Sequence, residues 1–227
     1  MCGRFTLTVD PADLQDAFPE FIFPTQGVPR YNIAPSQPIL GLPNDGTNRA
    51  DFFVWGLIPS WATDLSIRNR MINARAETLA EKPAFRSAYK VHRCLIFADG
   101  FYEWQAKAGS KSKIPHFIRL RSGAPFAFAG LWEHWQSADG SEVRSAAIIT
   151  TEPNELMASI HNRMPVILQP ATYSQWLDPA PQSANRLQNL LLAYPAGDMH
   201  AYPVSTLVNS PGNDRAECVL PVSTFMH

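Results

Sequence analysis

The sequence has 227 residues, of which 45% are apolar, so the chain is long enough to bury a substantial core. Its net charge is −1, which gives no overall reason to expect a nucleic-acid partner. No stretch of the sequence approaches the roughly 18 apolar residues of a membrane span, and the first residues lack the apolar segment of a signal peptide. We therefore expect a soluble, cytoplasmic protein without a membrane partner.

The cysteines and histidines give no sign of a disulfide framework or a metal site. Cys2, Cys94 and Cys218 form no CxxC pair, and any disulfide would leave one of them over. The six histidines show no ligand spacing. We expect a reducing compartment, no metal and no cofactor.

Positive charge is concentrated in one window of the chain. Residues 66–113 contain ten of the 19 Lys and Arg but four of the 20 Asp and Glu, so this window carries +6 and the remainder −7. Chance clustering on a solvated surface gives such a pattern. A basic groove that neutralises phosphates gives it too, and both interpretations stay open at this point.

In chain order, the first predicted element is a helix at DPADLQDAF, with Asp10 as N-cap and Pro11 at the first helical position. Strands follow wherever branched and aromatic residues are dense. The predicted strands are QPILGL, DFFVWG, RCLIFADGFYEW, HFIRL, PFAFAGLW and VRSAAIITT. Between the second and third of these, AETLAEKPAFRSAY predicts a helix broken at Pro83.

The last third of the chain is predicted to be mixed. TEPNELMASI predicts a helix capped by Thr151 that ends just before His161. A strand at MPVIL, helices near TYSQWL and ANRLQNLLLAY, and an extended tail complete the chain. Because strands and helices do not alternate regularly, we predict one α+β domain over residues 1–227, with a largely antiparallel sheet or barrel-like core flanked by short helices.

The opening stretch MCGRF places a cysteine directly after the initiator methionine. Removal of Met1 would leave Cys2 with a free α-amine, which titrates near 7.7–8.0, next to a thiol that titrates near 8.5. Such an amine forms a Schiff base with an aldehyde, and the neighbouring thiol captures the imine as a five-membered thiazolidine. Two alternatives use the same residue: an N-terminal-nucleophile amidohydrolase or thiol protease, and a purely structural residue near a strand.

Four further polar residues are candidates for chemistry. Asn73 and Arg75 are two apart in MINARAET, so an extended segment would point both to one side. Glu103 lies in the aromatic run GFYEW, where desolvation would raise its pKa and suit it to proton transfer; a salt bridge at a strand end is an equally open interpretation. His161 follows a short helix, a common place for a structural histidine.

Taken together, the motifs of this chain resemble those of the SOS-response-associated peptidase (SRAP) family. The resemblance runs in order from residue 2 to about residue 210. The motifs that carry it are MCGRF, PRYNIAPSQ, WGLIPSWA, MINARAETL, GFYEW, FAGLWE, IHNRMPVIL and YPVSTLVNS. It implies a protein of the DNA-damage response that shields abasic sites in single-stranded DNA by a covalent crosslink, because an abasic sugar opens to the aldehyde that a terminal aminothiol captures.

The resemblance also implies a role for each site residue. Cys2 would form the crosslink, and Asn73 would hold the opened sugar. Glu103 would move protons, and His161 would assist ring opening and reversal. The expected DNA-binding residues are Arg4, Arg75 and Arg163 toward phosphates and Trp61 and Trp104 by stacking.

The same resemblance sets the expected partners and side activities. It implies a monomer bound to abasic single-stranded DNA, associated with the nucleoid when bound, a secondary lyase activity through the Schiff base, and autoproteolytic removal of Met1. A non-catalytic single-strand binding module is a third hypothesis, and it requires nothing of Cys2.

Overall fold

The computed structural model describes residues 2–107, 109–137 and 140–222. The strands are β1 Phe5–Leu7, β2 Arg30–Ile33, β3 Pro38–Pro43, β4 Asp51–Trp55, β5 Asn73–Arg75, β6 Arg93–Ala98, β7 Gly100–Ala106, β8 Lys113–Leu120, β9 Phe126–Gln136, β10 Glu142–Thr151, β11 Met164–Pro165 and β12 Met199–Pro203. The helices are α1 Pro11–Ala17, α2 Arg86–Val91, α3 Glu155–Ala158, α4 Tyr173–Trp176 and α5 Ala184–Gln188. Short 3-10 helices lie at Leu65–Arg70, Ala76–Thr78, Pro170–Thr172, Ala196–Asp198, Thr206–Asn209 and Ala216–Val219.

The strands form two sheets, one of which closes on itself. In the closed sheet the order is β10-β4-β3-β6-β9, and β9 pairs back to β10 along seven residues, from Glu142↔Gln136 to Ile148↔Gly130. Strands β5 and β11 add to β10 outside this ring. The second sheet is open, with the order β12-β8-β7-β1-β2. The prediction of an α+β fold with a barrel-like core is therefore confirmed.

Strand β6 shows how the sequence pattern builds two cores. Because successive side chains point to opposite faces of a strand, a strand buried on both faces shows no alternation of polar and apolar residues, and in β6 every residue after Arg93 is apolar. All six residues of β6 are buried. Leu95 and Phe97 pack into the cluster that includes helices α1, α2 and α4, whereas Cys94, Ile96 and Ala98 pack into the cluster that contains Cys2.

The start of the chain is fixed by strand β1, which lies between β2 and β7. The buried carboxylate of Asp99 accepts hydrogen bonds from the Thr6 hydroxyl at 2.5 Å and from the Thr8 main-chain N–H at 2.6 Å. Gly100 follows, and a Cβ there would lie 2.2 Å from the Phe117 ring, so only glycine allows this close approach. These contacts hold the residues that precede β1 in a single place.

Most predicted elements are present, and several boundaries differ. Helix α1 has the predicted cap, since the Asp10 side chain accepts from the N–H groups of Ala12 and Asp13. RCLIFADGFYEW forms two strands, β6 and β7, because Asp99 turns between them. The break at Pro83 is confirmed, with a 3-10 turn before it and α2 after it. The helices within TYSQWL and ANRLQNLLLAY are four and five residues long.

The predicted cap of the helix before His161 was wrong. Thr151 is the last residue of β10, and the cap is Asn154, whose side chain accepts from the Met157 N–H at 2.9 Å. The tail is more regular than predicted, because Met199–Pro203 forms β12 on the edge of the open sheet. Strands β1 and β2 had no prediction either, since each is short and interrupted by polar residues.

Within the described residues, no helix is long and apolar enough to cross a membrane. In the same part of the chain, no group of three or more His, Cys, Asp or Glu is placed to hold a metal ion. Cys2, Cys94 and Cys218 are all buried free thiols.

Candidate active site

Cys2 lies in a buried hydrophobic cluster rather than on the surface. Its exposed fraction is 0%, and it packs with Phe5, Trp55 and Ile148 among others. Burial raises the pKa of the Cys2 thiol far above its ordinary value, and the nearby negative charge of Glu103 acts in the same direction. The Cys2 thiol is therefore harder to ionise than the thiol titrating near 8.5 that the sequence suggested.

Asn73 reaches Cys2 directly. Strand β5 runs parallel to β10, with Asn73 opposite Ile148, and this pairing directs the Asn73 side chain toward the start of the chain. Its Nδ2 donates to the carbonyl oxygen of Cys2 at 2.8 Å. Its Oδ1 is buried, and no donor among the described residues reaches it. Asn73 thus positions residue 2 through its amide nitrogen.

Glu103 is a nearly buried carboxyl group, with an exposed fraction of 2%. It lies on β7 opposite His116 of β8. Burial raises the pKa of Glu103 above its ordinary value, and the proximity of His161 partly opposes that rise. A carboxyl group in this environment exchanges protons closer to neutral pH than an exposed one.

His161 is held by the turn that ends α3 and by Arg163. The His161 N–H donates to the Met157 carbonyl at 2.8 Å, and the Arg163 main-chain N–H donates to Nδ1 of His161 at 3.1 Å. A neutral His161 therefore carries its proton on Nε2. His161 lines the same cleft as Glu103.

That cleft has a volume of about 480 Å³. Its described lining residues are Glu103, Trp104, Lys113, His161 and Asn209. We call Cys2, Asn73, Glu103 and His161 the floor of the cleft. The structure brings all four together, as hydrogen bonds, shared lining and electrostatic contact show.

Trp104 forms one wall of the cleft and is fixed on two sides. Its Nε1 donates to Oδ1 of Asn209 at 2.8 Å, and the Arg4 guanidinium lies 5.7 Å from the centre of its ring. Arg4 in turn donates to Oδ1 of Asn32 at 2.7 Å and to the Val208 carbonyl at 2.6 Å. The structure thus places Arg4 behind Trp104 as a support.

The remaining predicted DNA-binding residues lie outside the cleft lining. Arg75 ends β5 and is exposed. Trp61 is 60% exposed in the loop that follows Gly56, where φ is +126° and a Cβ would lie 2.6 Å from the Arg68 carbonyl oxygen. For the comparison below, we call the expected strand-binding residues Trp61, Arg75 and Trp104, together with the cleft residue Lys113, the rim.

Arg163 is more enclosed than a surface phosphate ligand usually is. Its guanidinium donates to both carboxylate oxygens of Glu77, at 2.8 and 3.0 Å, and to the Thr150 carbonyl at 2.6 Å. Although partial burial opposes the effect, the bonds and charge of Arg163 lower the pKa of Glu77. The pair is therefore ionised at neutral pH.

The basic window is only partly a surface feature. Arg93 is fully buried, and its guanidinium donates to main-chain carbonyls, among them Trp176 at 2.8 Å and Asp178 at 2.5 Å. This arginine ties α2 and α4 to the barrel and contributes nothing to a groove. Lys113 and Asn209 line the cleft and were not selected from the sequence, although Asn209 lies in the motif YPVSTLVNS and Lys113 in a lysine-rich turn.

Comparison with known proteins decides the family. The family model described as SOS response associated peptidase (SRAP) matches residues 1–211. The chain belongs to the SRAP family. The matched range includes every residue of the floor and the rim of this SRAP protein.

Two curated relatives have names that refer to DNA lesions. This SRAP protein is 52% identical over 224 residues to the "Abasic site processing protein YoaM" of Bacillus subtilis, with 96% of each chain covered. It is 30% identical over 246 residues to the "Abasic site processing protein HMCES" of Rattus norvegicus, covering 92% of this chain and 69% of that one. A solved structure of a protein from Bacteroides thetaiotaomicron matches with a TM-score of 0.86 and 26% identity, over 97% of this chain and all of the other.

Proposed function

We propose that this SRAP protein captures abasic sites in single-stranded DNA as a covalent thiazolidine crosslink at Cys2, once Met1 has been removed. The observation that carries the proposal is the gathering of the floor: Asn73 binds the Cys2 carbonyl at 2.8 Å, while Glu103 and His161 line one cleft beside it. The relatives named abasic site processing proteins support the same substrate.

The proposed reaction needs no oxidant and no cofactor. The Cys2 amine attacks C1′ of the ring-opened sugar, and loss of one water gives an imine. The Cys2 sulfur then adds to the imine carbon while its proton passes to nitrogen, which closes the five-membered ring. Because amine and thiol belong to one residue, the second step is intramolecular and benefits from a high effective concentration.

Glu103 supplies and accepts the protons of these steps. Its raised pKa keeps a larger protonated fraction near neutrality than an exposed glutamate has, so it protonates the departing hydroxyl and later accepts a proton from the amine. The Cys2 thiol has a raised pKa as well, so it enters the ring closure as S–H rather than as a free thiolate.

Asn73 and His161 act on the sugar. The buried Oδ1 of Asn73 accepts a hydrogen bond from a hydroxyl of the opened sugar. This bond satisfies an acceptor that no donor among the described residues reaches. His161, with its proton on Nε2, assists ring opening and, in reverse, release of the crosslink. A lyase activity through the same imine is secondary.

The rim, together with Arg163 and Arg4, holds the strand on either side of the lesion. Arg75 and Arg163 bind phosphates, which positions the strand without reading its sequence. Trp61 and Trp104 stack on bases, with Arg4 bracing Trp104 from behind.

The amidohydrolase alternative receives less support from the site. An N-terminal thiol nucleophile acts as a thiolate, whereas burial and the charge of Glu103 raise the pKa of the Cys2 thiol. Turnover of glutamine or of a peptide, measured as released ammonia or new termini, would restore this alternative.

The test is a denaturing gel of the protein incubated with an abasic single-stranded oligonucleotide. We expect a denaturant-stable adduct from the mature protein, none from Cys2→Ala, and non-covalent binding in both. A tag left ahead of Cys2 converts the amine to an amide and should block the adduct. An adduct of equal yield from the tagged, unprocessed protein would refute the thiazolidine mechanism.

A further inference from the structure

The hairpin between β7 and β8 carries an unusual share of the chain's lysines. Three of the five lysines in the whole sequence, Lys107, Lys111 and Lys113, lie within seven residues. All three are exposed. From residue 104 to residue 132 the sequence contains no Asp or Glu, so nothing in this stretch neutralises them. We call these three residues the lysine hairpin.

The base of the hairpin is oriented by both walls of the cleft. On one side, Trp104 donates to Asn209 at 2.8 Å. On the other, Nε2 of the next residue, Gln105, donates to the Ser159 carbonyl at 2.9 Å, two residues before His161. The hairpin therefore rises from the edge of the cleft in a defined direction.

In the described part of the turn, local hydrogen bonds join main-chain groups and serine hydroxyls. The lysine side chains take no part in these bonds. The Ser110 N–H donates to the Lys107 carbonyl at 3.1 Å, and the Ser112 N–H donates to Oγ of Ser110 at 3.0 Å. None of the three lysine side chains takes part in an ion pair with the described residues. Lys113 alone also lines the cleft.

We propose that the lysine hairpin is a second phosphate-binding surface, which binds the phosphodiester backbone of the strand flanking the lesion after it leaves the cleft past Trp104. This inference rests on the proposed function for its ligand. Exposed lysines that form no ion pair with the described residues provide a site for a polyanion, and each phosphate they neutralise releases counterions. The hairpin would thus extend the footprint of the protein beyond the nucleotides that the cleft contacts.

The test measures equilibrium binding rather than crosslinking, so the two proposals fail separately. Binding of abasic oligonucleotides to the Cys2→Ala protein is followed by fluorescence anisotropy across a salt series. For single strands, each lost phosphate contact lowers the slope of log K against log salt by about 0.7. With a long oligonucleotide, the salt slope of the Lys107→Ala/Lys111→Ala variant should therefore be smaller in magnitude by roughly 1.4 than that of the parent protein. With a trinucleotide centred on the lesion, the two slopes should be equal.

The matched control is Lys82→Ala/Lys90→Ala, which removes the same charge at two exposed lysines on and before α2. This control variant should have the same salt slope as the parent protein. The Lys107→Arg/Lys111→Arg variant, which keeps both charges, should have that slope too. Extending the oligonucleotide only 5′ or only 3′, as single strand or as duplex, identifies the flank that the hairpin binds.

An unchanged slope for the hairpin variant with every extended oligonucleotide would overturn the inference, as would an equal loss in the control. Both results leave the proposed function intact, because crosslink yield with the trinucleotide is measured independently. Conversely, a wild-type protein that binds these oligonucleotides but forms no adduct refutes the crosslinking proposal alone.

Discussion

The floor and the rim adjoin in sequence at Asn73 and Arg75 and at Glu103 and Trp104, yet the two sets of residues are built differently. On the floor, Cys2 is 0% and Glu103 2% exposed. On the rim, Trp61 is 60% exposed, and Arg75 and Lys113 are exposed as well. The proposed function thus places chemistry where water is excluded and pKa values shift, and strand binding where charges and rings meet solvent. Substitutions on the floor should change rates and stability, and those on the rim should change affinity alone.

Among variants that keep Cys2, the largest effect on rate is expected from Glu103→Gln. Removing a proton-transfer group typically slows a reaction by about 10²–10⁴-fold. We expect the crosslinking rate, followed by quenched time points on a denaturing gel, to decrease by a factor in that range. The part of its pH dependence that reports the Glu103 carboxyl group should disappear. Asp51→Asn, an exposed carboxylate on β4, is the control and should react normally.

Glu103→Gln should also stabilise the fold. Because burial raises the pKa of Glu103 above its ordinary 4.5, the folded chain keeps a proton that the unfolded chain has released above that pH. Wild-type stability therefore falls as pH rises through this window, and glutamine, which does not titrate, avoids the loss. Tm at pH 7 should rise, with about 1 kcal/mol corresponding to roughly 2–4 °C, and the pH-dependent difference should vanish below 4.5. A variant less stable than wild type at pH 7 would contradict the assigned burial.

Asn73→Ala is expected to slow crosslinking by about 10²-fold, the cost of misplacing a reacting group by about 1 Å. It removes both the bond to the Cys2 carbonyl and the buried Oδ1 acceptor. Asn73→Asp keeps the shape and the acceptor but loses the donor, so it separates positioning of Cys2 from binding of the sugar. Equal crosslinking rates for the wild type and the Asn73→Ala variant would show that Asn73 plays no part in the reaction.

The floor and the rim differ in how far they were predictable. The four floor residues were assigned through motif resemblance and through residue chemistry, and the structure gathers them. The sequence could not reveal how they meet, because Asn73 reaches Cys2 through the parallel pairing of β5 with β10, a contact between segments more than 70 residues apart. Nor could it reveal that the Cys2 thiol is fully buried, since burial is a property of the packed sheets.

Local signals were reliable where one side chain decides the structure. Asp10 caps α1 as predicted, because a cap needs only its own short segment. Thr151 failed as a cap because pairing with β11 draws it into β10, and tertiary pairing overrides a local preference. Arg93 counted toward the basic window and is buried instead, which charge counting along a sequence cannot detect.

On the rim, Trp61→Ala should weaken binding of single-stranded DNA by about 1–3 kcal/mol, the usual value of one stacked base. Because Trp61 is 60% exposed, unfolding free energy should change by less than about 0.5 kcal/mol. Anisotropy and thermal unfolding measure the two quantities. A large loss of stability with unchanged affinity would place Trp61 among the core aromatics.

Arg163 tests the boundary between the two regions, because it touches both. Its main chain supports His161, while its guanidinium is held by Glu77 near the surface. If Arg163 binds phosphate, Glu77 competes with the strand for it, so Glu77→Gln should raise affinity and steepen the salt slope by about 0.7. Glu81→Gln, an exposed change of equal charge, is the control. An unchanged slope combined with slower crosslinking would instead show that Arg163 serves the floor, by fixing His161, and that phosphate binding rests on the remaining rim.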